Sequence, residues 1–260
     1  MTCPAGEGAG TELLDGVWAH AIRWRLGLPN APSEWRCQIQ CHARGRAACG
    51  ELVDVLGDHA AVCKCGGYKT IRHSRLVETL RAILRESGAI VSPREVPVEG
   101  WQRPDGTGAR LDISFWAGGD RQYVDLTVRH PRAAKYVSQA ALADGAAARV
   151  AERNKRERYP AVAAAGLHTV SPFAVESFGR LGSGAVELLR SALHRATERD
   201  PSLRGWGGAA LFARWLARIS CNLQRALFDA SEAMTGAVGR LRSADHSGGP
   251  LLAAALPFRS

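Results

Sequence analysis

The chain has 260 residues, 46% hydrophobic and 23% charged, with a formal net charge of +9. That length supports a sizeable core, and ordinary globular composition excludes a low-complexity or fibrous chain. No apolar run approaches the ~18–20 residues that span a bilayer, and the opening MTCPAGEGAG lacks the basic flank and apolar centre of a signal peptide. The expected setting is therefore intracellular. Arginine far outnumbers lysine, and planar guanidinium forks suit phosphate, so nucleic acid is the expected partner.

A first helix is expected over 11–27, where Leu13, Leu14, Val17, Ala21 and Ile22 fall near helical spacing; Gly27 and Pro29 stop it. A loop-rich stretch follows, from about Ser33 to Gly67, holding five of the seven cysteines. In a reducing compartment such clustering points to a metal rather than to disulfides. The stretch has few large apolar residues to pack, and a tetrahedral Zn²⁺ held by Cys and His would fix it. The candidate ligands are His59 and Cys63 with two of Cys37, Cys41 and Cys49, and Cys65 competes with Cys63.

From Ile71 to Glu86 a second helix is expected, with Leu76, Leu80 and Ile83 on one face and Gly88 ending it. Arg72, His73 and Arg75 would form a phosphate-facing patch beside the Cys/His segment. The period then changes to strand. Ala89–Pro97 reads as a strand, and Arg103–Gly106 as a turn. Leu111, Ile113 and Phe115 alternate with Asp112 and Ser114, while Val124, Leu126 and Val128 alternate with Asp125 and Thr127. Gly118–Gly119 joins the two runs as a hairpin. Either symmetric loop gives a register in which paired numbers sum to 237, and Asp112 then faces Asp125. Directly opposed residues have Cβ atoms about 4.5–5.5 Å apart, where like charges repel. A cation would relieve that repulsion, and hard oxygen ligands suit Mg²⁺ or Mn²⁺. An Ala-rich helical stretch over Ala133–Arg158, weakened at Gly145, comes next. A strand over Leu167–Val175 interrupted by Pro172, and helices near Gly184–Glu198 and Ala209–Arg240, complete the reading.

Taken in order, several short motifs resemble the restriction-like endonuclease region that ends the reverse transcriptases of non-LTR retrotransposons, and related protist proteins. They are Cys49-Gly50, Asp54, Gly57-Asp58-His59-Ala60, Cys63, and Arg72-His73-Ser74-Arg75-Leu76, followed by Leu111-Asp112 and Val124-Asp125-Leu126-Thr127-Val128. Lys155-x3-Tyr159, Val175-Glu176-Ser177-Phe178-Gly179 and Asn222-Leu223-Gln224-Arg225 complete the set. The resemblance runs from about Ala21 to Ala230 and implies a PD-(D/E)xK-type nuclease core: a mixed sheet flanked by helices, carrying an acidic metal site. It implies Asp112 and Asp125 as ligands of Mg²⁺ or Mn²⁺, with Glu95 completing the site. Thr127 stands where the usual motif has lysine, and Lys155 on the following helix is the implied replacement, with Tyr159 one turn on. The Pro104-Asp105 pair, in a Gly-rich turn, is read as a decoy. The family usually has two cysteines close together before Asp54, and Arg46–Ala48 supplies none beside Cys49; Cys41 is taken as the missing ligand, with Cys37 in reserve, giving Cys41, Cys49, His59 and Cys63 for Zn²⁺.

The expected fold is thus α/β (α+β). A helical segment (1–32) leads into a zinc-knuckle-like segment (33–70), then a restriction-endonuclease-like core (71–180). C-terminal helices (181–242) and a disordered tail (243–260) follow. The expected function is a metal-dependent DNA endonuclease of retrotransposon origin, nuclear, acting on DNA, with element RNA or a polymerase in trans as further partners. The rival readings are a catalytically inactive nucleic-acid-binding module and a zinc-stabilised protein-interaction domain.

Overall fold

The computed structural model describes residues 11–31, 33–41, 48–93, 95–102, 108–158 and 169–245. Helix α1 (Asp15–Arg25) begins with an acidic residue and ends with Arg23 and Arg25, both signs matching the helix dipole. Gly27, at φ 68°, turns the chain away, a conformation that costs glycine nothing. Strands β1 (Trp35–Arg36) and β2 (Leu52–Val53) form a small antiparallel pair, and the short helix α2 (Asp58–Val62) closes this Cys/His lobe. Helix α3 (Tyr68–Glu86) begins three residues earlier than the apolar stripe indicates.

The strand region is more broken than its hydrophobic pattern implies. Ala89–Pro97 divides into β3 (Ile90–Val91) and the start of β4 (Val96–Gln102). The expected first hairpin strand divides into β5 (Gly108–Leu111) and β6 (Ile113–Ala117), bending at Asp112. Strand β7 (Asp120–Arg129) pairs with β6 in the expected register: Ile113 faces Val124 and Ala117 faces Asp120. The Arg103–Gly106 turn, with Pro104 and Asp105, lies outside the described residues.

After β7 come α4 (Val137–Ala140) and α5 (Ala146–Arg158), so the Ala-rich stretch is two helices. Gly145, at φ 73°, separates them. Strand β8 (Thr169–Glu176) lies parallel to β7 and runs straight through Pro172. It is an edge strand, where a missing N–H is tolerated. Helices α6 (Ser183–Arg199) and α7 (Trp206–Asp245) finish the described chain, joined by a 3₁₀ turn at Pro201–Leu203.

The result is a mixed sheet, ordered β3-β6-β7-β8, flanked by helices. Ile113, Phe115, Val124, Leu126, Phe173 and Val175 pack with residues of α3, α6 and α7 in the main core. Ala174 packs with Ala148 and Ala151 of α5 in a separate cluster, so α5 covers the opposite face. Strand alternation thereby sends Asp125 toward α5 while its neighbours Val124 and Leu126 fill the core. No helix among the described residues is long and apolar enough to cross a membrane.

Candidate functional site

Two sites gather chemistry-bearing side chains. In the Cys/His lobe, one ligand atom each from Cys37, Cys49, His59 and Cys63 lies within 4.8 Å of every other, and all four residues are buried. Cys49 Sγ is 3.7 Å from His59 Nε2 and 3.9 Å from Cys63 Sγ. Ligands about 2.0–2.3 Å from one tetrahedral ion stand roughly 3.3–3.8 Å apart, so the group can hold a metal such as zinc. The bond from Cys37 lowers the Cys63 thiol, and the same bond together with burial pushes Cys37 up. A lowered thiol is the one that most readily gives the thiolate a metal requires.

The ligand set corrects the expectation at one position: Cys37 belongs to the group, and Cys41 forms a disulfide with Cys65. Backbone pairing explains it. Cys37 N–H donates to Glu51 O and Gly50 N–H to Cys37 O, while Cys49 N–H donates to Ile39 O. That ladder runs Cys37 against Gly50 and Glu51 and Ile39 against Cys49, bringing the two segments together, and the bond to Cys65 takes Cys41 out of the group. Asp54 prepares the other two ligands, its carboxylate accepting from the N–H groups of Leu56, Asp58 and His59 at the start of α2.

The second site lies where the chain bends between β5 and β6, so that β5 leaves β7 while β6 pairs with it. Regular pairing stops at Ile113–Val124, so the expected flat juxtaposition of Asp112 with Asp125 is replaced by a bend. β7 continues past it, and Leu126 loses its strand partner on that side. The Asp112 carboxylate takes its place, accepting from Leu126 N–H at 2.6 Å. His73 Nε2 approaches both Leu126 O and Asp112 Oδ2 at 3.2 Å. Arg81 donates to the Asp112 carbonyl at 2.7 Å, so α3 fixes both ends of this residue. Burial pushes the Asp112 carboxyl up, but His73, Leu126 N–H and the charge of Lys155 together hold it below its ordinary value. His73 is raised, chiefly by its bond to Asp112.

Asp125, on β7, forms an ion pair with Lys155 from α5, both side chains largely shielded. Lys155 thus faces one aspartate directly and acts electrostatically on the other. Its helix is aimed by Glu176 at the end of β8, whose Oε1 accepts from Ala147 N–H at 3.0 Å and Ala148 N–H at 3.1 Å. A carboxylate at a helix N-terminus satisfies orphan donors and the dipole together. Glu152 of α5 caps α6 in turn, accepting from Gly184 N–H and Ser183 Oγ. Glu95 is exposed just before β4. The β4–β5 pairing ends at Val96 with Leu111, and Glu95 does not join Asp112 and Asp125 in a metal-holding group among the described residues. Tyr159 lies outside the described residues.

The expected basic patch is corrected. Arg72 is 4% exposed and donates to Ala61 O, tying α3 to α2. It sits four residues before Leu76 on the stripe that continues to Leu80, so it faces inward. His73 turns to Asp112 rather than outward, and Arg75 pairs with Asp229 of α7 at 2.6 Å.

A third network escaped the sequence reading. Asp58 Oδ1 accepts from Trp24 Nε1 at 2.7 Å and from Arg132, and lies 3.3 Å from His130 Nε2. His130 Nδ1 is 2.7 Å from Ser177 Oγ, and Gln224 donates to Ser177 O. Ser177 is wholly buried, which denies it a substrate. The network instead joins the lobe, the sheet and α7. Asp58, Ser177 and Gln224 all belong to the short motifs noted above; His130 and Trp24 left no separate signal. The chain matches no known family model and no curated protein.

Proposed function

We propose that the chain is a metal-dependent DNA endonuclease of the restriction-like kind. The observation that carries this reading is the gathering of Asp112, Asp125 and Lys155 from a strand bend, a central strand and the helix after it. Two carboxylates and a lysine, ordered along the chain in this way, are what the retrotransposon resemblance calls for. The donor set fits a hard divalent cation: both acidic groups offer oxygen, and the ammonium of Lys155 stands beside Asp125 as a stand-in positive charge.

A bound Mg²⁺ or Mn²⁺ would act as a Lewis acid at the scissile phosphate and lower the pKa of a bound water. The chain's own residues perform the rest. Asp112 is held rigid through its carbonyl and its carboxylate, so its free lone pairs point in a fixed direction. With a cation held by Asp125, Lys155 would be free to offer its charge to the phosphate, where negative charge grows during attack. The resemblance implies Glu95, exposed just before β4, as a further acidic group. In the Cys/His lobe we assign Zn²⁺ a structural role, since four protein ligands leave no open position.

The test is cleavage of supercoiled plasmid with Mg²⁺ or Mn²⁺ and zinc-loaded protein. Nicked product from the wild type and none from Asp125→Ala is expected. An inactive wild type that still binds DNA would replace this reading with a binding module.

A further inference from the structure

Most cations of this chain that are visible on its surface have a local task. Arg23 and Arg25 bind the carbonyls of Pro29 and Phe178, Arg75 pairs with Asp229, Arg180 with Asp144, and Arg214 and Arg218 with Glu86. Lys64 and Lys69 are exposed; Arg129 is half-buried and reaches only the adjacent Val128 carbonyl, at 3.4 Å; among the described residues none of the three has an acidic partner within 4.0 Å. Lys64 follows the metal ligand Cys63, Lys69 lies in the first turn of α3, and Arg129 ends β7. We propose that Lys64, Lys69 and Arg129 form a seat for the phosphate backbone of duplex DNA, at the seam between the Cys/His lobe and the sheet.

The placement supports this independently of total charge. Lys69 and His73 are one helical turn apart and share a face of α3. His73 touches the carbonyl of Leu126, three residues before Arg129 on β7. The seat therefore continues directly from the acidic cleft, roughly 10 Å along the strand by the ~3.3 Å rise per residue, a span of one or two nucleotides. Burial and then the charges of Arg129, Arg72 and Lys64 lower the Lys69 ammonium, so the like charges act on one another. A concentration of unneutralised cations is relieved by an anion, as two opposed carboxylates are by a cation. The first turn of α3 carries no acidic residue and no side-chain cap, which leaves the local sign positive. A polyphosphate backbone suits three cations spread along a groove better than a single small anion does, because each neutralises a different phosphate.

This inference rests on the nuclease reading of the neighbouring cleft, and its test separates the two. Binding of a fluorescent 30-base-pair duplex to the full, zinc-loaded chain is followed by anisotropy across a salt series without Mg²⁺ or Mn²⁺. Lys64→Ala/Lys69→Ala should weaken binding about tenfold or more, equally for unrelated sequences, and lower the salt slope by about 2. Arg129→Gln should lower it by about 1, and Arg75→Ala should leave it unchanged. Circular dichroism of each variant confirms folding, and Lys69→Glu, at a surface position of α3, repeats the test with reversed charge. An unchanged slope in the double and reversed-charge variants overturns the seat, as does a wild type that fails to bind duplex. A wild type that binds through these residues yet never cleaves keeps the seat and removes the nuclease reading.

Discussion

In the Cys/His lobe, four potential ligands come together on segments that contribute only two-residue strands and a five-residue helix. In the acidic cleft, Asp112 alone is tied by a backbone N–H, a histidine and a buried arginine, all mounted on long elements. The first region places its groups well but has little apolar packing besides its own cysteines, Ala230 and Met234 of α7 and a few neighbours. The second is aimed by the fold itself. A metal should therefore be structural glue in the lobe and a visitor in the cleft.

Removing metal from the lobe is the strongest way to break that comparison. Chelation, or Cys37→Ser, should abolish zinc binding of about one ion per chain and cost on the order of several kcal/mol of stability. Metal analysis with thermal unfolding reads both. Cys41→Ser should keep the zinc and cost about 3 kcal/mol only when the protein is oxidised, because it opens a disulfide spanning 24 residues. If Cys41→Ser lost the metal and Cys37→Ser kept it, the two roles would be reversed.

In the cleft the large effect should fall on activity. Asp125→Ala is expected to lower cleavage by more than about 100-fold, and to destabilise the fold as well because Lys155 loses its shielded partner. Asp112→Ala should do the same to cleavage and destabilise by about 1–3 kcal/mol, since Leu126 N–H is left without its acceptor. An Asp112→Ala unfolding midpoint equal to the wild type's would show that the bend does not depend on that bond. Glu176→Ala should come next, loosening α5 by about 1 kcal/mol and lowering cleavage through misplacement of Lys155. Its signature is a fall in kcat with duplex affinity unchanged. Arg75→Ala should do least, within about 1 kcal/mol, as exposed ion pairs usually do.

Much of the sheet was legible because alternation has a period of two. The register of β6 with β7 follows from Gly118–Gly119 and the two apolar runs, and it is the register observed. The bend at Asp112 was not legible, because Leu111 and Ile113 are apolar and alternate regularly on either side of it. Nothing local marks the point where one strand leaves one sheet for another. For the lobe, Cys37 and Cys41 lie on the same side of an extended segment, so composition cannot choose between them. Only the tertiary placement of His59, Cys63 and Cys65 does. Arg72 was legible and misread: its charge suggested the surface, while its place on the Leu76–Leu80 stripe put it inside. The helix caps at Glu152 and Glu176 span 31 and 29 positions, contacts that no short-range pattern carries.

The bond between Leu126 N–H and Asp112 gives the cleft a built-in reporter. An amide proton held by a carboxylate is more strongly polarised than one held by a peptide carbonyl. In a nitrogen-15 spectrum the Leu126 cross-peak should therefore stand well downfield of its strand neighbours. Anything that draws electron density from Asp112 weakens that bond and moves the peak. A titration with Mg²⁺ or Ca²⁺ would then report occupancy at one residue, in the intact protein, before any DNA is cut.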